Sequence, residues 1–201
     1  IRVSKNLGQK YDAVVTNPPY MGIGNMGISL YNYIQELYDE FKQDLYCVFI
    51  KKCMLFSKNN GIIAMINQQS FMFNSRFEKT REYIINNSTY INMLYLGTRA
   101  FEDISGEKVR TCAFVKRDNY IEKYQANYID LQMYLSEKEK HIQYLCMLQE
   151  KKNLDLYKAS LQQYEKIPGR TFSFWISPNI IELMDNSVKL HSYAETRHGL
   201  V

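Results

Sequence analysis

Two consecutive prolines, Pro18 and Pro19, stand just behind the apolar run Ala13-Val14-Val15. Each removes a backbone donor and fixes φ, and each pushes the residue before it out of the helical region, so Asn17 and Pro18 are required to be extended. A strand beginning near Tyr11 must therefore stop in a stiff, outward-pointing loop, Asn17-Pro18-Pro19-Tyr20. Open α/β sheets place their ligands at the carboxyl ends of strands. The tetrad is read as a site on that ground.

The chain after the tetrad alternates between helical and extended patterns. Ser29 is placed to cap a helix over 30–41, and Asp44 a more apolar one through Leu45, Val48, Phe49, Lys52, Leu55 and Phe56, stopped by Asn59-Asn60-Gly61. Residues 62–66 read as a buried strand, with Gln68-Gln69-Ser70-Phe71 at its carboxyl end. A helix between two strands makes them parallel, which puts those residues on the same side of the sheet as the tetrad. Ser75 opens a third helix, residues 91–96 and 109–115 read as strands, and the helix-free loop between these two makes them an antiparallel hairpin. The order is that of an α/β fold, the C-terminal half of a Rossmann-like doubly wound sheet with an antiparallel edge hairpin. Its first half is missing.

Beyond Lys116 the character changes. Residues 128–131 suit one more strand, and 136–164, rich in lysine and glutamate, suit one or two solvated helices with a break at Asn153. The lysines of 138–152 are read there as a solvated face. Ile167-Pro168-Gly169 is a turn, 172–176 an aromatic patch with the only tryptophan, Trp175, and Pro178 starts a short helix. The expected division is a catalytic portion over 1–120 and a helical extension over 121–201.

With 46% hydrophobic and 23% charged residues, the chain is neither disordered nor fibrous. Its net charge of +4 permits nucleic acid without demanding it. Cys47, Cys53, Cys112 and Cys146 lack any Cys-x-x-Cys spacing and sit in apolar runs, as reduced core thiols do. His141, His191 and His198 have no metal-ligand spacing. Without a signal segment or a long apolar run, a cytoplasmic location is expected. Gly22, Gly24 and Gly27 match the dinucleotide-loop spacing by letter, but they follow Pro-Pro-Tyr and not a strand, so a mobile lid is the better reading. Seventeen tyrosines suit stacking surfaces, and a bias toward AT-rich codons raises the same residue type.

The tetrad suits one kind of chemistry. The amide of Asn17 and the carbonyl of Pro18 are two acceptors at fixed relative positions. An amine on an aromatic ring is a poor nucleophile because its lone pair is delocalised; two acceptors that each take one N–H favour the pyramidal nitrogen and concentrate that pair. Tyr20 offers a flat face for a planar base, a contact worth about 1–3 kcal/mol. A base in a duplex must be flipped out to reach it.

Asn17-Pro18-Pro19-Tyr20 after a strand resembles the catalytic motif of S-adenosylmethionine-dependent N6-adenine DNA methyltransferases. The resemblance runs over roughly residues 10–117, through Asp44-Leu45-Tyr46, Asn60-Gly61-Ile62-Ile63, Ser70-Phe71, Tyr95-Leu96-Gly97, Ala100-Phe101 and 109–115. It implies that Asn17 and Pro18 hold the target amine, that Tyr20 stacks on one face of the adenine and Phe101 on the other, and that Tyr46 and Phe49 border the cofactor. Phe101, Tyr46 and Phe49 each also suit plain core packing. Ile167-Pro168-Gly169 and Phe174-Trp175-Ile176-Ser177 resemble the approach to the target-recognition region of large restriction-modification and phage-exclusion (BREX) methyltransferases. Double-stranded DNA, the upstream half and that recognition region are the implied partners.

One departure matters. Such families bind most of the S-adenosylmethionine through a glycine-rich loop and an acidic residue upstream of the tetrad, and only ten residues precede Tyr11, with Gly8 alone among them. The isolated chain is expected neither to bind the cofactor tightly nor to methylate DNA. Enzymes acting on protein glutamine or on RNA amines also carry Asn-Pro-Pro-Tyr, and a non-catalytic interaction module would keep the fold; both remain alternatives.

Overall fold

The computed structural model describes residues 6–101, 109–150, 156–189 and 192–195. Six strands form one sheet in the order β1-β2-β4-β3-β5-β6. They are β1 (Tyr11–Thr16), β2 (Ser57–Gln68), β3 (Thr89–Gly97), β4 (Thr111–Arg117), β5 (Ala126–Asp130) and β6 (Leu156–Ala159). β1 pairs parallel with β2, and β3 with β5; β4 runs antiparallel to both β2 and β3, and β6 antiparallel to β5. Four strands thus share a direction, and their carboxyl ends form one edge.

The hairpin lies inside the sheet and not at its edge. The crossover from β2 to β3 leaves a gap one strand wide, and β4 fills it, satisfying backbone ladders on both sides. Past residue 120 the same sheet continues into β5 and β6, which places sheet and core on both sides of the boundary expected at 120. Tyr128 of β5 stacks on Phe174 at 5.1 Å, and Tyr164 on Phe172 at 5.0 Å. All four rings belong to the core that also holds Met65, Met93 and Phe114. The segment read as a second helix supplies β6 and a 3-10 turn over Leu161–Lys166 instead; Asn153 lies outside the described residues.

Helices α1 (Ile28–Leu37), α2 (Leu45–Phe56), the short α3 (Ser70–Phe73) and α4 (Glu78–Asn87) contribute to the core on one face of the sheet. α5 (Glu137–Glu150) packs on the other face through Met147, against Leu94, Leu96 and Ile129. α6 (Pro178–Asn186) follows the aromatic segment. Alternation along β2 makes the two faces unequal: Ile63, Met65 and Asn67 are buried, whereas Ile62 is 38% exposed. Asn59-Asn60-Gly61 does not cap α2. Asn60 at φ 63 forms a bulge within β2, and a Cβ on Gly61 would stand 2.2 Å from Ser57 Oγ. Only glycine fits there.

Of the lysines read as a solvated face, Lys140 is an exception. It is buried, and its ammonium donates to the carbonyls of Leu131 and Tyr134, closing the turn after β5. Among the described residues no helix is long and apolar enough to cross a membrane.

Lys116 on β4 is fully buried and donates to Ser88 Oγ at 2.9 Å. Burial pushes its amine down to about 8, against the pull of Asp118 and Cys53 and with the push of Lys51. An unfolded lysine holds its proton to about pH 10.4, so the unfolded state binds more protons between these values and stability rises with pH there. Below pH 8 the penalty is constant. Above about pH 9 unfolded thiols and phenols ionise while their buried counterparts do not, which opposes the trend. Lys116→Met is therefore expected to stabilise the fold by about 1–3 kcal/mol at pH 7. It should also flatten the dependence between pH 8 and 9, as read by urea unfolding at each pH.

Candidate functional site

β1 occupies the edge of the sheet with a single neighbour, and the chain leaves it through the tetrad. Asn17 is exposed, Pro18 buried, Pro19 exposed and Tyr20 half-buried. All peptide bonds of the described residues are trans. The amide of Asn17 thus stands free at the sheet edge while Pro18 roots the loop. Tyr20 reaches back over β2, where its hydroxyl donates to the Ile66 carbonyl at 3.4 Å, and its ring meets Tyr46 edge-on at 5.8 Å. Burial, then the neighbouring Cys112 and Asp44, push the Tyr20 phenol up to about 12, so it stays a neutral donor.

Asp44 is the residue that holds this arrangement, beyond the helix-capping role read from its position. Its carboxylate accepts from the backbone N–H of Tyr46 at 3.2 Å, capping α2, and from that of Met21 at 3.0 Å. Leu45 N–H donates to the Met21 carbonyl and Ile23 N–H to that of Gln43. The strand end and the helix start are clamped together directly after Tyr20. Burial raises the Asp44 carboxyl while the backbone donors of Tyr46, Met21 and Leu45 oppose that. The same clamp takes in Gly22, bridged to Asp44, so the glycine segment read as a mobile lid begins as a tethered one. Ile23–Asn25 is a 3-10 turn and Gly27 caps α1.

Tyr46 is fully buried, walled by Tyr20, Phe71 and Phe77, with its hydroxyl on Ser70 Oγ at 2.8 Å. It backs Tyr20 and presents no surface to a cofactor. Phe49 is half-buried against the same core. Packing, which their spacing also suits, accounts for where both lie. Among the described residues upstream of the tetrad Gly8 is the one glycine, so the glycine-rich loop expected to bind S-adenosylmethionine is not among them. Phe101 is half-buried, four residues past Gly97, in the loop that leaves β3 at the edge shared with the tetrad. Residues 102–108 lie outside the described ones.

At the carboxyl end of β2, where Gln69 was expected on the tetrad's side of the sheet, lie buried polar side chains that include Asn67, which the sequence pattern had not marked out. Gln69 donates to the Tyr95 hydroxyl at 3.0 Å. Asn67 is fully buried, and neither its amide nitrogen nor its oxygen has a protein partner; Gln69 Oε1 and Thr111 Oγ1 are likewise unpaired. An asparagine on the buried face of an apolar strand, in phase with Ile63 and Met65, was the available signal.

The face away from α1, α2 and α4 is apolar and partly open. A cavity of about 1090 Å³ runs along it, lined among others by Asn17, Val15, Ala64, Ile66 and Val115 of the sheet and Leu148 of α5. Val15 is 77% exposed at the free edge. A valine so placed on an edge strand is a surface that proteins ordinarily cover.

The site thus stands on a sheet with one antiparallel strand inserted among parallel ones, at a proline-stiffened asparagine just past the end of β1. Residues 3–101 match the model of the Eco57I restriction-modification methylase family. The whole chain is 38% identical over 201 residues to the adenine-specific methyltransferase PglX of Lacticaseibacillus casei (strain Zhang), of which it covers 17%. It is 37% identical over 175 residues to the adenine-specific methyltransferase BrxX of Escherichia coli O9:H4 (strain HS), covering 84% of this chain and 14% of that one. The fold matches the methyltransferase subunit of a type I restriction-modification system from Streptococcus thermophilus with a TM-score of 0.58 at 13% identity, over 81% of this chain and 37% of that one. The chain thus spans less than a fifth of the length of these two curated relatives.

Proposed function

We propose that this chain is the amine-holding portion of an adenine-specific DNA methyltransferase of restriction-modification or phage defence. The parent enzyme moves a methyl group to the N6 amine of an adenine flipped out of double-stranded DNA. The observation that carries this reading is the contrast within the tetrad: Asn17 exposed at the end of β1, on a loop rooted by buried Pro18 and backed by Tyr20. Asn17 Oδ1 and the Pro18 carbonyl accept the two amine protons, which keeps the nitrogen lone pair off the ring and free to attack. Tyr20 takes one face of the base and Phe101 the other.

The methyl donor in this reading is S-adenosylmethionine, held by an upstream half of the parent. That half packs on the open sheet face and pairs with the free edge of β1, while a downstream target-recognition region selects the DNA sequence. The relatives are several times longer than this chain, which supports both additions. The chain alone is accordingly expected to bind S-adenosylmethionine more weakly than micromolar in calorimetric titration, and micromolar binding overturns that expectation. The reading itself is tested by restoring the upstream half and assaying tritiated methyl transfer to adenine-containing DNA. Transfer to protein or RNA but not to DNA would sink it.

A further inference from the structure

We propose that Asp44 is a positioning residue for the tetrad: its carboxylate, set on the N–H of Met21, stops the chain directly after Tyr20 and so fixes the ring that takes one face of the base. The base-stacking clause rests on the function proposed above; the positioning of Tyr20 does not.

Tyr20 joins a stiff stretch of backbone to a loose one. Pro18 and Pro19 fix the chain before it. Gly22, Gly24 and Gly27 follow it, and residues without a Cβ leave the chain many directions to take. The hydroxyl of Tyr20 adds little restraint of its own, since its bond to the Ile66 carbonyl is long at 3.4 Å. The restraint comes from a distant segment. Met21 is held through both of its backbone groups, its N–H by Asp44 Oδ1 at 3.0 Å and its carbonyl by the N–H of Leu45 at 2.9 Å. Gly22 is bridged to Asp44, and the N–H of Ile23 donates to the Gln43 carbonyl at 3.1 Å. Within these bonds Asp44 supplies the side chain, and the other groups are backbone.

The same carboxylate oxygen also holds the wall behind the ring. Asp44 Oδ1 accepts from the N–H of Tyr46 at 3.2 Å, and it is the Tyr46 ring that meets Tyr20 edge-on at 5.8 Å. Tyr46 is fully buried, with its hydroxyl on Ser70 Oγ at 2.8 Å, so that wall is firm. One atom thus ties the backbone beside Tyr20 to the residue that backs its ring. A helix cap needs an acceptor only for the first turn of its own helix. The bond to Met21, 23 residues earlier in the chain, adds nothing to capping and is the part that reaches the tetrad. Asp44 is itself buried, so it acts through Met21 and Tyr46.

Three substitutions separate positioning from capping. Asp44→Asn keeps an acceptor oxygen at full reach, Asp44→Ser keeps a cap but is too short to hold Met21 as well, and Asp44→Ala keeps neither. In the enzyme restored with its upstream half, Asp44→Ala and Asp44→Ser are both expected to lose about 10- to 100-fold in kcat, the scale of a small misplacement at a reacting centre. KM for DNA should stay within about threefold, since phosphate contacts dominate affinity. Asp44→Asn is expected to rescue kcat to within about threefold of wild type, because its amide oxygen replaces Oδ1. Urea unfolding should group the variants differently, with Asp44→Asn and Asp44→Ser near wild type and Asp44→Ala less stable. A kcat that follows stability, with Asp44→Ser as active as wild type, would overturn the proposal and leave a helix cap. A second readout needs no activity: in the 201-residue chain labelled at tyrosine Cζ, the Tyr20 resonance, assigned by its disappearance in Tyr20→Phe, is expected to shift in Asp44→Ser. An unmoved resonance overturns the positioning, whatever the activity. A moved resonance with no methyl transfer by the restored wild-type enzyme supports the positioning and refutes the proposed function instead.

Discussion

Arg81→Ala is expected to lower the unfolding free energy by about 3–5 kcal/mol, the largest loss from any single side chain outside the aromatic core. The guanidinium is fully buried and has no carboxylate against it in the hydrogen-bond set; its partners are backbone carbonyls. Nε and Nη2 donate to Gly169 at 2.9 and 2.6 Å, and Nη1 donates to Phe71 and Asn74, both at 2.8 Å. Those carbonyls belong to two segments, α3 with the residue that ends it and the turn at Pro168-Gly169, the latter 88 residues beyond Arg81. Alanine takes these donors from the Gly169 and Phe71 carbonyls, each costing about 1–3 kcal/mol, and one of two from the Asn74 carbonyl, which also accepts from Phe77 N–H; it opens a void where the fork was. Arg81→Lys is expected to recover little, because one ammonium cannot span three carbonyls set for a planar fork. Urea unfolding with an unchanged slope measures the loss. Hydrogen exchange should show residues 71–74 and 168–170 loosening together. Arg170 beside this turn, paired with Glu78 and Glu82, is exposed enough that its ion pairs add little.

Asn17→Ala carries the second large effect, on activity and not on stability. The side chain is exposed and lies outside the core, so the folded state is expected to change by less than about 0.5 kcal/mol. Methyl transfer by the enzyme restored with its upstream half is expected to fall about 10²–10³-fold in kcat, the scale set by removing one preorganised hydrogen-bonding group from a reacting centre. DNA affinity, measured by fluorescence anisotropy, should change by less than about threefold, since phosphate contacts dominate it. An Asn17→Ala enzyme that retains a tenth or more of the wild-type rate would remove the tetrad from the chemistry.

The two effects divide along the same line as the legibility of the chain. Local rules were enough for the strand that stops at Pro18, for Asp44 as a helix cap, and for the alternation of helix and strand through residue 97. Each of these follows from a backbone restriction or a period carried by neighbouring residues. What lies between distant residues was not readable in this way. Asn60 at positive φ turned an expected helix end into a bulge, where β2 runs from Ser57 to Ile62 while its partner β1 runs only from Tyr11 to Ala13. The helical spacing of Tyr46 suits core packing, but the cage of Tyr20, Phe71 and Phe77 that encloses it is drawn from three different segments that no spacing names.

The amino-acid sequence by itself determined that a strand ends in a rigid asparagine-bearing loop, and what class of chemistry such a loop suits, because proline geometry and amide chemistry act within a few residues. Only the tertiary structure decided that β4 lies between β2 and β3, that residues past 120 complete the same sheet and core, that Arg81 ties the far turn to the segment after β2, and that Asn67 is buried without a hydrogen-bond partner. Those are outcomes of which faces are buried against one another, and burial is a property of the whole packed chain that no local pattern specifies.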